Sequence, residues 1–196
     1  MPHTFYAGGH PTALLADGAH AGFDVRTRVL LWAPAPVAGV LRVELQGVAG
    51  ASVSSHVSLP AGQSNVTLTL PASATRGVSL WQPHGHGAQP RYNISASFQP
   101  ATGAAAATWR LLGFRHVALV TVNDTDPATA AAAAGQDGNG GLGMFFRVNG
   151  APVYARGGNK VPMDLLEGRM SAAAHRRLVQ TAAEGNMNML RVWGGN

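Results

Sequence analysis

The chain has 196 residues, of which 46% are hydrophobic and 12% charged, with 25 glycines and 12 prolines. That hydrophobic share can build a sizeable core and excludes a disordered tail, while low charge with abundant glycine and proline favours a loop-rich β protein over a helical one. The net charge of +5 raises the question of a nucleic-acid partner, but the arginines are scattered, only Arg176 and Arg177 adjoin, and no basic run tracks a phosphate backbone.

Met1-Pro2-His3-Thr4 opens the chain without a basic and apolar leader, and no stretch reaches the ~18 apolar residues of a membrane span. From Phe23 to Val120 apolar and polar residues alternate in short runs, the period of strands with one buried face. The pattern predicts strands over 25–32, 40–45, 53–59, 65–70, 92–98 and 114–121, with Pro60-Ala61-Gly62-Gln63 as a turn. Six to eight short strands at this spacing predict an immunoglobulin-like β-sandwich over residues 1–126. Residues 127–143, almost all alanine and glycine, read as a flexible loop.

Beyond the loop, Asn149-Gly150 between two apolar runs marks a type I′ hairpin. Ser171 then caps a helix through about Glu184, with Ala174, Leu178 and Ala182 on one face and Gly185 as its stop. The last residues, Asn186 to Trp193, read as a buried strand with polar and aromatic groups at its carboxyl end, followed by Gly194-Gly195-Asn196. The order hairpin, loop, helix, strand is how a barrel begins. A (β/α)8 barrel needs about 250 residues, so residues 144–196 read as its truncated start. The fold class expected is mainly β: a sandwich followed by the first strand-helix-strand part of a TIM barrel.

Four blocks give this pattern a family. They are Leu80-Trp81-Gln82-Pro83-His84-Gly85-His86-Gly87 with Tyr92-Asn93; Gly113-Phe114-Arg115; Phe146-Arg147-Val148-Asn149-Gly150-Ala151-Pro152-Val153-Tyr154 with Gly157-Gly158-Asn159; and Asn186-Met187-Asn188 with Arg191-Val192-Trp193-Gly194-Gly195. In this order and spacing the chain resembles the β-mannosidases of glycoside hydrolase family 2 over residues 80 to 196. The resemblance implies a fragment of a retaining glycosidase that removes terminal β-D-mannose from oligosaccharides or glycoproteins. Other family 2 activities, β-galactosidase or β-glucuronidase, are the alternative within the class. A non-catalytic sandwich that binds glycans or protein partners is the alternative outside it.

Retaining hydrolysis needs two carboxyl groups about 5–5.5 Å apart, and the resemblance puts both glutamates on later barrel strands, beyond Asn196. No catalytic residue is therefore expected in this chain, and alone it is expected to be inactive. Supporting residues are expected instead. Arg191, at a strand end where enzymes of this fold place their working groups, would orient the nucleophilic carboxylate through its planar fork of donors. Trp193 would offer an apolar face to a sugar ring. Asn159 would hydrogen-bond a sugar hydroxyl or fix its loop, and Asp164 would be a sugar ligand or a helix cap. The sequence departs from the family at Lys160, where a tryptophan is common, and at Asn196, where a glycine, a tyrosine and a glutamate usually continue the strand tip.

With no cysteine, disulfides and thiolate metal sites are impossible. The eight histidines include the pair His84 and His86, but no third ligand lies near in sequence and no metal or cofactor is expected. The partner expected is a β-mannoside oligosaccharide, with no nucleic acid and no membrane span. Asn65, Asn93 and Asn123 each begin an Asn-x-Ser/Thr acceptor triplet, in keeping with the lysosomal or secreted location that the resemblance implies for a parent enzyme.

Overall fold

A computed structural model describes residues 1–11, 13–120, 144–162, 164 and 167–193. The loop expected over 127–143, the acceptor Asn123, and Gly194-Gly195-Asn196 lie outside the described residues. The chain divides into two compact units. One comprises Met1–Trp81 with Gln89–His116, the other Gln82–Ala88 with Val117–Asn196.

The first unit is a sandwich of seven antiparallel strands. β1 (Pro2–Tyr6), β2 (Phe23–Ala33) and β5 (Gly62–Leu70) form one sheet in the order β1-β2-β5. β3 (Val37–Leu45), β4 (Ser52–Leu59), β6 (Tyr92–Pro100) and β7 (Ala106–Leu112) form the other, in the order β4-β3-β6-β7. The partition is immunoglobulin-like, with the fourth strand paired to the third. Alternation in β2 turns Val25, Thr27 and Val29 inward and Arg26, Arg28 and Leu30 outward. Val25 and Val29 join Phe23, Leu41, Val43, Leu45, Leu70, Val78 and Phe114 in one hydrophobic core. Each such side chain, once fully buried, contributes about 1.5–3 kcal/mol.

The connection between β5 and β6 is tied down by polar groups. Thr75 Oγ1 accepts from Phe23 N at 2.7 Å, and His20 takes Gly22 N on Nδ1 at 3.1 Å while its Nε2 lies 2.8 Å from Val78 O. Tyr92, at the start of β6, accepts Ser79 N on its hydroxyl at 2.7 Å, and its ring meets Phe114 edge-on with centroids 5.5 Å apart. A tyrosine placed so at the start of this strand closes the corner of immunoglobulin-like sandwiches.

Two elements differ from the sequence pattern. Of the strand expected over 114–121, the described residues Val117–Val120 form β8, which pairs not with the sandwich but with β9 (Phe145–Val148), which pairs in turn with β10 (Ala151–Val153). Phe114 is instead fully buried in the sandwich core, with a backbone bridge to Leu80. Alternation cannot name a strand's partner, so β8 read as sandwich. The segment 82–88 also falls in the second unit, although it lies within the residues 1–126 expected to form the sandwich. It is closed by Gln82 N to Ala88 O and His86 N to Pro83 O, both 2.9 Å.

In the second unit the β9-β10 hairpin turns at Asn149 and Gly150, with φ of 50° and 83°, the type I′ geometry that the dipeptide predicts. Buried Arg147 donates from Nη1 to Gly150 O at 2.8 Å. β11 (Gly157–Lys160) and β12 (Met189–Val192) are parallel, joined through helix α1 (Ala172–Glu184). This is the strand-helix-strand unit expected. Its second strand is not buried, however: Met189, Val192 and Trp193 are 37%, 52% and 53% exposed. Two strands with a helix against them cover only part of their own surface.

Candidate functional site

The strand-helix-strand unit is organised by a few local interactions. Gly157 faces Met189 in the ladder, and a Cβ on it would lie 1.8 Å from Met189 O. Only a glycine permits that approach, which gives Gly157 a packing reason. Ser171 Oγ accepts Ala174 N at 3.1 Å and caps α1.

The far end of α1 falls at Glu184 with Gly185 as its cap, as expected, and the left-handed turn comes one residue later. Gly185 has φ of −74°, an ordinary helical value, and Asn186 takes the left-handed one at 58°. Asn186 N donates to Ala183 O and Met187 N to Ala182 O, both 2.9 Å, which is the Schellman pattern with asparagine in the position usually held by glycine. The face formed by Ala174, Leu178 and Ala182 lines, with Met187 and Leu190, an open groove of about 590 Å³ that reaches Asn159 and Lys160.

At the carboxyl ends of the two strands, Asn159 and Arg191 are direct partners in the ladder. Arg191 Nη1 donates to Asn159 Oδ1 at 3.0 Å, and both side chains are exposed. Because the acceptor is a neutral amide, the guanidinium is oriented without its charge being neutralised. Its other N–H groups remain suited to an anionic oxygen. Sequence reasoning named both residues but not the bond between them, which rests on the register of two strands 32 positions apart.

Trp193 follows β12, and its N–H donates to Lys160 O at 3.0 Å, continuing the parallel ladder. Trp193 as a residue is 53% exposed. Asp164 is ion-paired with Arg169 Nε at 3.1 Å, while the cap of α1 is Ser171 and not Asp164. Asn188 holds the start of β12. Its Oδ1 accepts Arg156 N at 2.9 Å, its Nδ2 donates to Tyr154 O at 3.0 Å, and it lies 3.4 Å from His86 Nε2. Sequence reasoning gave Asn188 no role of its own, and its place before an apolar strand was the signal available.

Among the described residues no group of three or more His, Cys, Asp or Glu side chains could hold a metal ion, and no helix is long and apolar enough to cross a membrane.

No family model matches the chain. It is 33% identical over 142 residues to the β-mannosidase of Rattus norvegicus, an alignment covering 72% of this chain and 15% of that protein. To β-mannosidase A of Neosartorya fischeri it is 30% identical over 195 residues, covering 96% of this chain and 20% of the relative. The chain thus spans about a fifth or less of the length of the relatives it matches. Its fold is similar to the solved β-D-mannosidase from Dictyoglomus thermophilum, with a TM-score of 0.65 and 24% identity, over 100% of this chain and 21% of that one. Sequence kinship to curated β-mannosidases, carried on a sandwich followed by a parallel strand-helix-strand unit, makes this a β-mannosidase-like chain of glycoside hydrolase family 2.

Proposed function

We infer that the chain supplies the immunoglobulin-like sandwich and the opening of the catalytic barrel to a retaining β-mannosidase, acting on terminal β-D-mannose of oligosaccharides or glycoproteins. The observation that carries this reading is the Asn159–Arg191 hydrogen bond at the carboxyl ends of adjacent parallel strands, where barrel enzymes place their working groups. Asn159 fixes the guanidinium, and Arg191 holds the nucleophilic carboxylate ionised and aimed. Trp193 presents its ring to the apolar face of the sugar. Asp164, paired with Arg169, shapes the neighbouring loop. The acid/base and nucleophilic glutamates belong to strands encoded beyond Asn196. The parent enzyme is routed to a lysosome or secreted.

The native transcript, read through the codon for Asn196, tests this directly. Continuation for several hundred residues with two strand-end glutamates, and activity of the encoded enzyme on β-mannosides above β-galactosides and β-glucuronides, is the expected result. A stop codon after Asn196 would overturn the enzymatic reading. Preference for a galactoside or glucuronide would move the protein to another family 2 activity.

A further inference from the structure

The outer face of the three-stranded sheet carries two large apolar side chains in solvent, Leu30 at 60% and Trp32 at 73% exposure. In the β2-β5 ladder Leu30 stands directly opposite Asn65, Trp32 opposite Gln63, and Arg28 opposite Thr67. Side chains alternate along each strand, so these six share one face, turned away from buried Val25 and Val29. Asn65 and Thr67 are the first and third residues of the triplet Asn65-Val66-Thr67, and both are exposed. Among the described residues β5 is the edge of its sheet, and no further strand pairs beside the Asn65 amide.

The other acceptor triplets are placed less openly. Asn93 is half-buried on β6, between β3 and β7, with its Oδ1 enclosed and without a hydrogen-bond partner. Asn123 lies outside the described residues. Burial on a central strand disfavours carrying a bulky sugar, whereas exposure on an edge strand permits it.

We propose that Asn65 is an N-glycosylation site whose first N-acetylglucosamine covers Leu30 and Trp32. Directly opposite side chains lie about 4.5–5.5 Å apart at Cβ and diagonal ones about 7–8 Å, so a sugar on Asn65 Nδ2 rests on Leu30 and reaches Trp32. The ring's C–H face meets the apolar pair, while Gln63, Thr67 and Arg28 offer hydrogen bonds to its hydroxyls. The co-reactant is an oligosaccharide carried on a lipid pyrophosphate. The bond from its anomeric carbon to the pyrophosphate oxygen breaks and the electron pair leaves with the lipid pyrophosphate. The bond to Asn65 Nδ2 forms, and one amide proton passes to the transferase's base. The same glycan shields an edge strand from pairing with another chain.

The inference rests on the secretory routing proposed above, but not on the substrate. The test uses the full-length protein from its native source, digested and released with N-glycosidase in heavy-oxygen water, with β-mannoside hydrolysis assayed on the same preparation. The expected result is isotope incorporation at Asn65. An active enzyme whose Asn65 peptide carries no label overturns the site and leaves the activity standing. As a second readout, Asn65→Gln in the full-length protein from a secreting host should increase binding of an apolar dye, and adding Leu30→Ser and Trp32→Ser should remove the increase. Unchanged dye binding in Asn65→Gln would mean that another part of the protein covers this strip, and would overturn the covering role.

Discussion

Arg191 donates to Asn159 at 3.0 Å across directly paired positions of two parallel strands, so a charged group is oriented by a neutral one. In the full-length enzyme Arg191→Lys keeps the charge but loses the planar fork. Misplacement of a working group by about 1 Å costs on the order of 10²-fold, and a loss of that size in kcat/KM on a β-mannoside is expected. Asn159→Asp should also slow the enzyme, because a carboxylate there would neutralise the guanidinium. Steady-state kinetics beside thermal melts check both, with little change in Tm expected for these exposed side chains.

Tyr92→Phe removes the acceptor for Ser79 N and leaves the ring against Phe114. A destabilisation of about 1 kcal/mol is expected, the cost of one lost hydrogen bond. Phe114→Ala, at a fully buried ring, should cost about 3–5 kcal/mol through cavity formation. Urea unfolding followed by fluorescence should rank the two in that order.

Asn186 carries the left-handed residue that ends α1. Asn186→Ala should destabilise by about 1–2 kcal/mol, the cost of a Cβ in that conformation, while Asn186→Gly should be close to neutral. At Gly185 the backbone angle is ordinary, and a Cβ would lie 3.3 Å from Thr181 O, so Gly185→Ala tests local space and not handedness. Denaturant midpoints for the three variants separate these effects.

His116 has its pKa lowered below the ordinary 6.5 by burial, with the neighbouring His10 adding to the shift. Its ring also meets Tyr6 edge-on. A depressed folded-state value means that the unfolded chain binds the proton first as pH falls. Stability is therefore full above about pH 6.5, falls as pH drops through that value, and levels off below the folded-state value. His116→Gln should flatten the slope of stability against pH as pH falls below about 6.5, read from denaturation midpoints across a pH series.

Much of the sandwich was legible because alternation is a local signal: β2 to β6 each contain the stretch whose pattern predicted them. β7 was missed because nearly every residue of it is exposed, leaving no buried face to give a period. β1, an edge strand beginning at Pro2, is too short to stand out. The Asn149-Gly150 turn and the Ser171 cap were legible for the opposite reason, since each is fixed by one or two residues acting on their own backbone.

By itself the sequence determined the mainly β class, the hairpin, the span of α1 and the residue types at the strand tips, because periodicity, turn chemistry and capping act over a few positions. Only the tertiary structure decided what depends on distant chain segments meeting. It paired β8 with β9, placed the left-handed residue after α1 at Asn186, and enclosed Asn93 while leaving Asn65 exposed. It also brought Arg191 onto Asn159. Strand register and burial are set by long-range backbone pairing and packing, which no local pattern encodes.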